Sequence, residues 1–356
     1  MATIDDDFIQ NQSQRFLNNF EQFAAKRDIS AYELANYAKR QYPNAKHVLF
    51  TSSPIQGCAT ATSDIDLIVI IPEQELSSGM ATQFYMAGNH CEIAAISDED
   101  LQHDLQALTT LTTVPLSEVA LRVANWDNYF RLKKKYLERV VNGLSIHQGM
   151  PFAGYLSPLS ALWACQALLS FAESYAALQL AFKSREPRAA VIYAIDVVLA
   201  IMDVLLCRAG YVYSNKKWIT TRWHSYSEKV LSNCDNNFSD DILSGQLAIL
   251  YRLIGKPLSE KEYTTVQVLG DRFCYWLGHD QTLGFQGLQL VPTHAYSQKI
   301  SVTLSLKFTR NQVCLLNSEI MDRIIDFSEI SYLNDSEASE ILRALRANML
   351  LTEVKK

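Results

Sequence analysis

Residues 63–71 read Ser-Asp-Ile-Asp-Leu-Ile-Val-Ile-Ile: two carboxylates one residue apart, heading an uninterrupted apolar run that Pro72 closes. A short, β-branched apolar run bounded in this way predicts a buried strand. Side chains two apart in a strand share a face. Asp64 and Asp66 therefore project together, while Ile65 and Leu67 turn toward the core. Two neighbouring carboxylates repel, and both stay ionised only where positive charge sits between them. Mg²⁺ suits that place, because it takes carboxylate oxygens, keeps several waters and bridges to substrate phosphates. For an isolated Asp-x-Asp the competing reading is a solvated turn. The preceding stretch, "SSPIQGCATATS" at 52–63, weighs against it. Its small and hydroxyl residues let backbone amides and hydroxyls come close to an anion.

The neighbouring segments supply a frame for this strand. Helical spacing runs through residues 8–44 and stops at Pro43 and Asn44. "HVLFTS" (47–52) is a short β-rich run, and "HCEIAAIS" (90–97) reads as a third strand after the turn signal at Gly88 and Asn89. Alternation gives Glu92 and His90 one face of that strand, with Cys91 and Ile93 on the other. A glutamate flanked by apolar residues is costly to bury without a partner. An exposed edge strand is the competing explanation.

This constellation resembles the nucleotidyltransferase superfamily that includes DNA polymerase beta and the aminoglycoside nucleotidyltransferases. The family signature is a strand, a Gly-Ser turn, a short helix with a second glycine five residues on, and Ser-Asp-x-Asp opening the next strand. Here Ser52-Ser53 falls on the Gly-Ser position, Gly57 on the second glycine, and Ser63-Asp64-Ile65-Asp66-Leu67 on the acidic strand. The match spans about residues 31–97. One position departs from the pattern: the usual first glycine is Ser52, whose Cβ narrows the backbone choices there.

The resemblance implies a polymerase-beta-like domain with a small mixed sheet, an NTP co-substrate, and Mg²⁺ (two ions, Mn²⁺ an alternative) held by Asp64 and Asp66. It gives Glu92 the place of a third metal ligand or, as in some antibiotic-modifying members, of the general base. Ser52, Ser53, Gly57 and Ser63 fall at nucleotide-binding positions. Many bacterial relatives carry a Lys-Trp pair in a helical second domain, and Lys217-Trp218 looks like that pair, with Lys216 as an alternative. A lysine is a compact charge for phosphates, and a tryptophan can pack its loop. A snorkelling lysine beside a core tryptophan explains the pair equally well.

Other charged positions invite weaker roles. Asp196 and Asp203, seven apart in "AIDVVLAIMDVLL", share one side of an apolar helix; an intramolecular ion pair is the first reading, and orienting Lys217 or Arg222 or acting as base toward the acceptor is the second. "RLKKKYLER" (131–139) reads first as a solvated helix face and second as a guide for a nucleotide.

Length and composition bound the rest. A chain of 356 residues implies two or three domains. The reading is α+β: a catalytic domain over 1–115, a helical bundle over 116–282, and a small strand-plus-helix module over 283–356 that could be winged-helix-like. In the last module Ser336, with Glu340 four residues on, marks a helix start. A net charge of −6 argues against a protein that coats nucleic acid non-specifically. Seven scattered cysteines without a Cys-x-x-Cys pair read as free thiols in a reducing compartment. The uncharged stretch at 155–172 contains Pro158 and Gln166 and reads as a buried helix. A cytoplasmic location without membrane contact follows from these features. The function expected is transfer of a nucleoside monophosphate to the hydroxyl of a small molecule. A protein or tRNA acceptor, or an inactive nucleotide-binding regulator, are the alternatives.

Overall fold

A computed structural model describes residues 4–73, 81–111, 114–115, 118–119, 122, 128–232, 239, 242, 256–279, 285–293, 296–299, 304–308, 313–317 and 323–355. The fold is α+β, and the chain divides into two compact units. The first comprises 1–114, 121–163 and 206–227; the second comprises 115–120, 164–205 and 228–356.

The first unit opens with helix α1 (Asp6–Ala25), started by the Asp5 carboxylate, which accepts from the Phe8 N–H. Its buried residues, Gln12, Phe16, Phe20 and Ala24, recur every four positions and form one stripe. Helix α2 (Ala31–Gln41) is capped by Ser30 and ends two residues before Pro43, as the sequence predicts. Strands β1 (His47–Phe50), β2 (Ile65–Ile71), β3 (Thr82–Met86) and β4 (Asn89–Ser97) form a mixed sheet in the order β1-β2-β4-β3. β2 runs antiparallel to β1 and parallel to β4. Helix α3 (Ser52–Gln56) joins β1 to the loop before β2.

Ile65, Leu67, Val69 and Ile71 enter the cluster formed with α1 and α2. Ile68 and Ile70, on the other face, are buried as well, which makes β2 the doubly covered centre of the sheet. Within the strand Asp66 alone is partly exposed. β3 is a short strand that the sequence pattern does not reveal. It lies at the sheet edge, where Phe84 and Met86 are half-buried and Gln83 and Tyr85 exposed, so no buried apolar run marks it.

Beyond the sheet come α4 (Asp98–Thr109) and α5 (Asn128–Val141). Helices α6 (Leu156–Lys183) and α7 (Pro187–Arg208) each contribute residues to both units, and α8 (Ile219–Leu231) follows. Helices Ala153–Lys183 and Pro187–Arg208 are long and apolar enough to cross a membrane, and 67% of each apolar window is buried within the fold.

The second unit adds α9 (Glu260–His279) and strands β5 (Leu288–Pro292), β6 (Tyr296–Lys299), β7 (Leu304–Phe308), β8 (Val313–Asn317) and β9 (Ile325–Asp326). Helices α10 (Phe327–Ile330) and α11 (Asp335–Arg346) and strand β10 (Leu350–Val354) complete it. Two three-stranded sheets result, ordered β10-β5-β9 and β6-β7-β8. The last helix starts at Asn334 rather than Ser336. Asn334 Oδ1 accepts from the Glu337 N–H, and the Glu337 carboxylate accepts from the Asn334 N–H, a reciprocal cap that Ser336 lacks. Among the described residues, Cys58, Cys91, Cys165, Cys207 and Cys274 are not joined in disulfides.

Candidate active site

The sequence places the site where β1 turns into α3. Ser52 takes φ +67, the left-handed region that glycine adopts freely, and its hydroxyl is buried without a hydrogen-bond partner among the described residues. Both features burden the fold, because a Cβ is strained at that φ and an unpaired buried hydroxyl loses its water. Replacing Ser52 by Gly is expected to raise the unfolding free energy by about 0.5–1 kcal/mol, since relief of strain exceeds the added freedom of the unfolded chain. Urea titration checks it, and a drop in stability would refute the strain.

Gly57 ends α3 at φ +71, and a Cβ there would lie 2.9 Å from Asn19 Nδ2. Asn19 Nδ2 in turn donates to the Ile55 carbonyl at 2.9 Å, so α1 seats against the short helix with no room for a side chain at 57. The sequence spacing from Ser52 to Gly57 thus marks two positions of glycine-type backbone.

The loop that follows is held by Arg27, a residue that nothing in the local sequence singles out. Its guanidinium donates to the carbonyls of Ser63 at 2.9 Å, Thr60 at 2.9 Å and Ala61 at 2.6 Å, and stacks 4.1 Å from the Phe23 ring. One arginine closing three carbonyls fixes where the chain enters β2. Ser63 works inside this turn: its hydroxyl accepts from the Thr60 N–H at 2.8 Å.

At the head of β2 the register is direct. Asp66 on β2 lies opposite Glu92 on β4, and Ile65 opposite Cys91. Ile65, Leu67, Cys91 and Ile93 are buried, so Asp66 and Glu92 share the other face, both half-buried. Asp64, one step before the strand, sits beside His90: His90 Nδ1 is 3.1 Å from Asp64 Oδ1. The side chain of Asp64 is 59% exposed and that of Asp66 22%. Asp66 and Glu92 thus share a face by strand register, and Asp64 meets His90 just before the strand begins.

Positive charge reaches Asp66 from α5. Arg139 Nη2 lies 3.7 Å from Asp66 Oδ2, so part of the basic run at 131–139 faces the acidic strand rather than solvent alone. The neighbouring Glu138 is 3% exposed and accepts from the Ser214 N–H at 2.9 Å. Burial pushes its carboxyl pKa up, against the Ser214 hydrogen bonds and the charges of Arg222 and Arg139. Arg222 is itself buried and donates to the Tyr211 carbonyl at 2.8 Å. Burial likewise pushes the Cys58 thiol up to about 11, against Arg222 and Arg15, which leaves it a poor nucleophile near neutral pH.

The Ser214 contact ties the Lys217 segment to the same unit. Lys216, Lys217 and Trp218 form a single 3₁₀ turn capped by Asn215. Lys217 is exposed, its ammonium 5.0 Å from the Trp218 ring centroid. Asp196 and Asp203 lie on α7, and each is engaged by a neighbouring group.

Among the described residues, no three His, Cys, Asp or Glu side chains are placed to hold a metal ion together. Pairs remain, and Asp66 with Glu92 is the pair in strand register. Mg²⁺ is commonly bound through one or two protein carboxylates plus waters and substrate phosphates, so a pair meets its needs.

No curated protein matches the chain. A solved structure of a nucleotidyltransferase-like protein from Exiguobacterium sibiricum 255-15 aligns over 97% of this chain and 99% of its own, with 11% identity and a TM-score of 0.35. That likeness is too distant to bear on the chemistry. A family model described as a family of unknown function, DUF6001, matches residues 9–256, more than half of the chain. The chain therefore belongs to the DUF6001 family.

Proposed function

We propose that this protein is a nucleotidyltransferase that moves a nucleoside monophosphate from an NTP to the hydroxyl of a small molecule, releasing pyrophosphate. One arrangement supports the reading above all. Asp66 and Glu92 stand side by side on adjacent parallel strands, and the left-handed Ser52 turn and α3 lead from β1 toward that acidic edge. Mg²⁺, held by Asp66 with Asp64 or Glu92, would offset the triphosphate charge and polarise the bond that breaks.

The chain's own groups position and compensate charge, the terms that dominate phosphoryl transfer. Ser53 and the backbone amides of the Ser52 turn hold the outer phosphates, and Lys217 adds a mobile positive charge. The acceptor oxygen bonds to the α-phosphorus as the bond to pyrophosphate breaks in line. Glu92 either completes the metal set or takes the proton that the hydroxyl loses.

A second reading, a nucleotide-binding protein without transfer, draws on the Asp66–Arg139 pair, which already places a cation beside Asp66, and on the His90 contact that engages Asp64. The two separate in one assay. The full chain is incubated with each α-labelled NTP, Mg²⁺ and a small-molecule extract, and both pyrophosphate and label are followed. Label in the small-molecule fraction with matching pyrophosphate supports transfer. Label confined to protein or RNA moves the acceptor to that class, and no pyrophosphate from any NTP overturns the transfer reading.

A further inference from the structure

In the second unit, Glu260, Tyr263, Gln267 and Asp271 follow one another on α9 at intervals of three, four and four, so they lie along a single face. That face lines a cavity of about 870 Å³ whose other walls come from the end of α6, from α10 and from the start of α11. The volume falls in the range of small-molecule sites.

Its walls are aromatic. Phe182 and Tyr263 stack with centroids 3.7 Å apart and planes 3° from parallel, and Phe327 faces the same space. Its charges are uneven. Arg185 Nε sits 2.8 Å from Asp335 Oδ2, and the Lys183 ammonium donates to the Ser331 carbonyl, so both cations are engaged. Glu260 and Asp271 line the same space and are exposed to it.

Asp271 is also fixed in place. Tyr175, 2% exposed, donates its hydroxyl to Asp271 Oδ1 at 2.6 Å. The Tyr175 ring lies over Gly270, where a Cβ would come within 2.5 Å of it, so ring and carboxylate are seated as a unit. Burial, and then the Asp271 charge, push the Tyr175 pKa up, which keeps the phenol a donor. A carboxylate oriented by a buried phenol is a ready partner for a charged donor, and aromatic faces attract cations.

We propose that this cavity binds a small organic cation, an amine or amidine on a flat apolar body, with Asp271 as its counter-ion and Tyr263 and Phe327 as its aromatic walls. The proposal is independent of nucleotidyl transfer, since every residue it uses belongs to the second unit.

Benzamidine and benzamide, alike in size but not in charge, test it by calorimetric titration of the full chain. Benzamidine is expected to bind about ten-fold tighter or more, the scale of one charge-assisted contact. Asp271→Asn keeps an oxygen for the Tyr175 hydroxyl and is expected to bring benzamidine down to the benzamide level. Tyr263→Leu is expected to weaken benzamidine several-fold. Absence of benzamidine binding, equal binding of the two compounds, or unchanged affinity in a folded Asp271→Asn variant overturns the assignment. Should Asp271→Asn fail to fold, unchanged benzamidine affinity in Tyr263→Leu overturns it in the same way.

Discussion

Asp66→Asn is expected to lower pyrophosphate release by on the order of 10²- to 10³-fold while leaving the protein folded. The substitution keeps the size and one oxygen of the side chain and removes only its charge. Stability changes little because the lost contact is modest: the Asp66–Arg139 approach is 3.7 Å, beyond hydrogen-bond length, with Arg139 39% exposed. Such pairs contribute about 0–1 kcal/mol. The effect on turnover is large for a different reason. On the proposed function, Asp66 would stabilise charge at the reacting phosphate in the transition state, a role that Glu92 alone in the strand pair could share. Steady-state pyrophosphate assays, run beside a thermal melt, separate the two effects. A folded Asp66→Asn variant that keeps wild-type turnover would remove Asp66 from the mechanism.

The largest expected loss of stability comes from the hydrophobic side of the same turn. Phe50 is fully buried at the end of β1, its ring 4.3 Å from that of Phe20 on α1. Its N–H donates to the Leu144 carbonyl at 2.8 Å, and its own carbonyl accepts from Leu144 at 2.9 Å, so its backbone is locked as well. Phe50→Ala leaves a cavity that this fixed backbone cannot close. The expected cost is about 3–5 kcal/mol, against a total stability of roughly 5–15 kcal/mol for a typical domain. Two residues later the chain enters the left-handed Ser52 turn, so loss of nucleotide binding should accompany the drop. Urea unfolding measures the first and equilibrium titration the second. A change below about 1 kcal/mol would mean that the core relaxes around the missing ring.

Some of this architecture is legible in residue order and some is not. β2 announces itself because an uninterrupted apolar run is what a strand buried on both faces requires, and Asp66 stands out against it. Ser52 and Gly57 are legible through spacing, and both take positive φ. β3 escapes notice because an edge strand with partly exposed faces has no buried apolar run to read. Arg27 escapes for a related reason: it lies about 33–36 residues from the carbonyls it binds, and nothing local signals an arginine that closes a distant loop. Arg139 reads as one cation in a solvated run, since periodicity cannot say which of several basic residues faces an acid on another element. Asn334 precedes Ser336 as a cap because the reciprocal bond with Glu337 satisfies two backbone groups at once.

Nucleotide binding at the acidic strand is read most simply by a thermal melt of wild type and of Asp64→Asn/Asp66→Asn with each of ATP, GTP, CTP and UTP in the presence of Mg²⁺. A ligand that binds only the folded state at about 100 times its Kd stabilises by about 2.7 kcal/mol. A Mg²⁺-dependent rise in Tm with at least one nucleotide is expected in wild type and is expected to be absent from the double variant. No rise with any of the four, or the same rise in the variant, would contradict it.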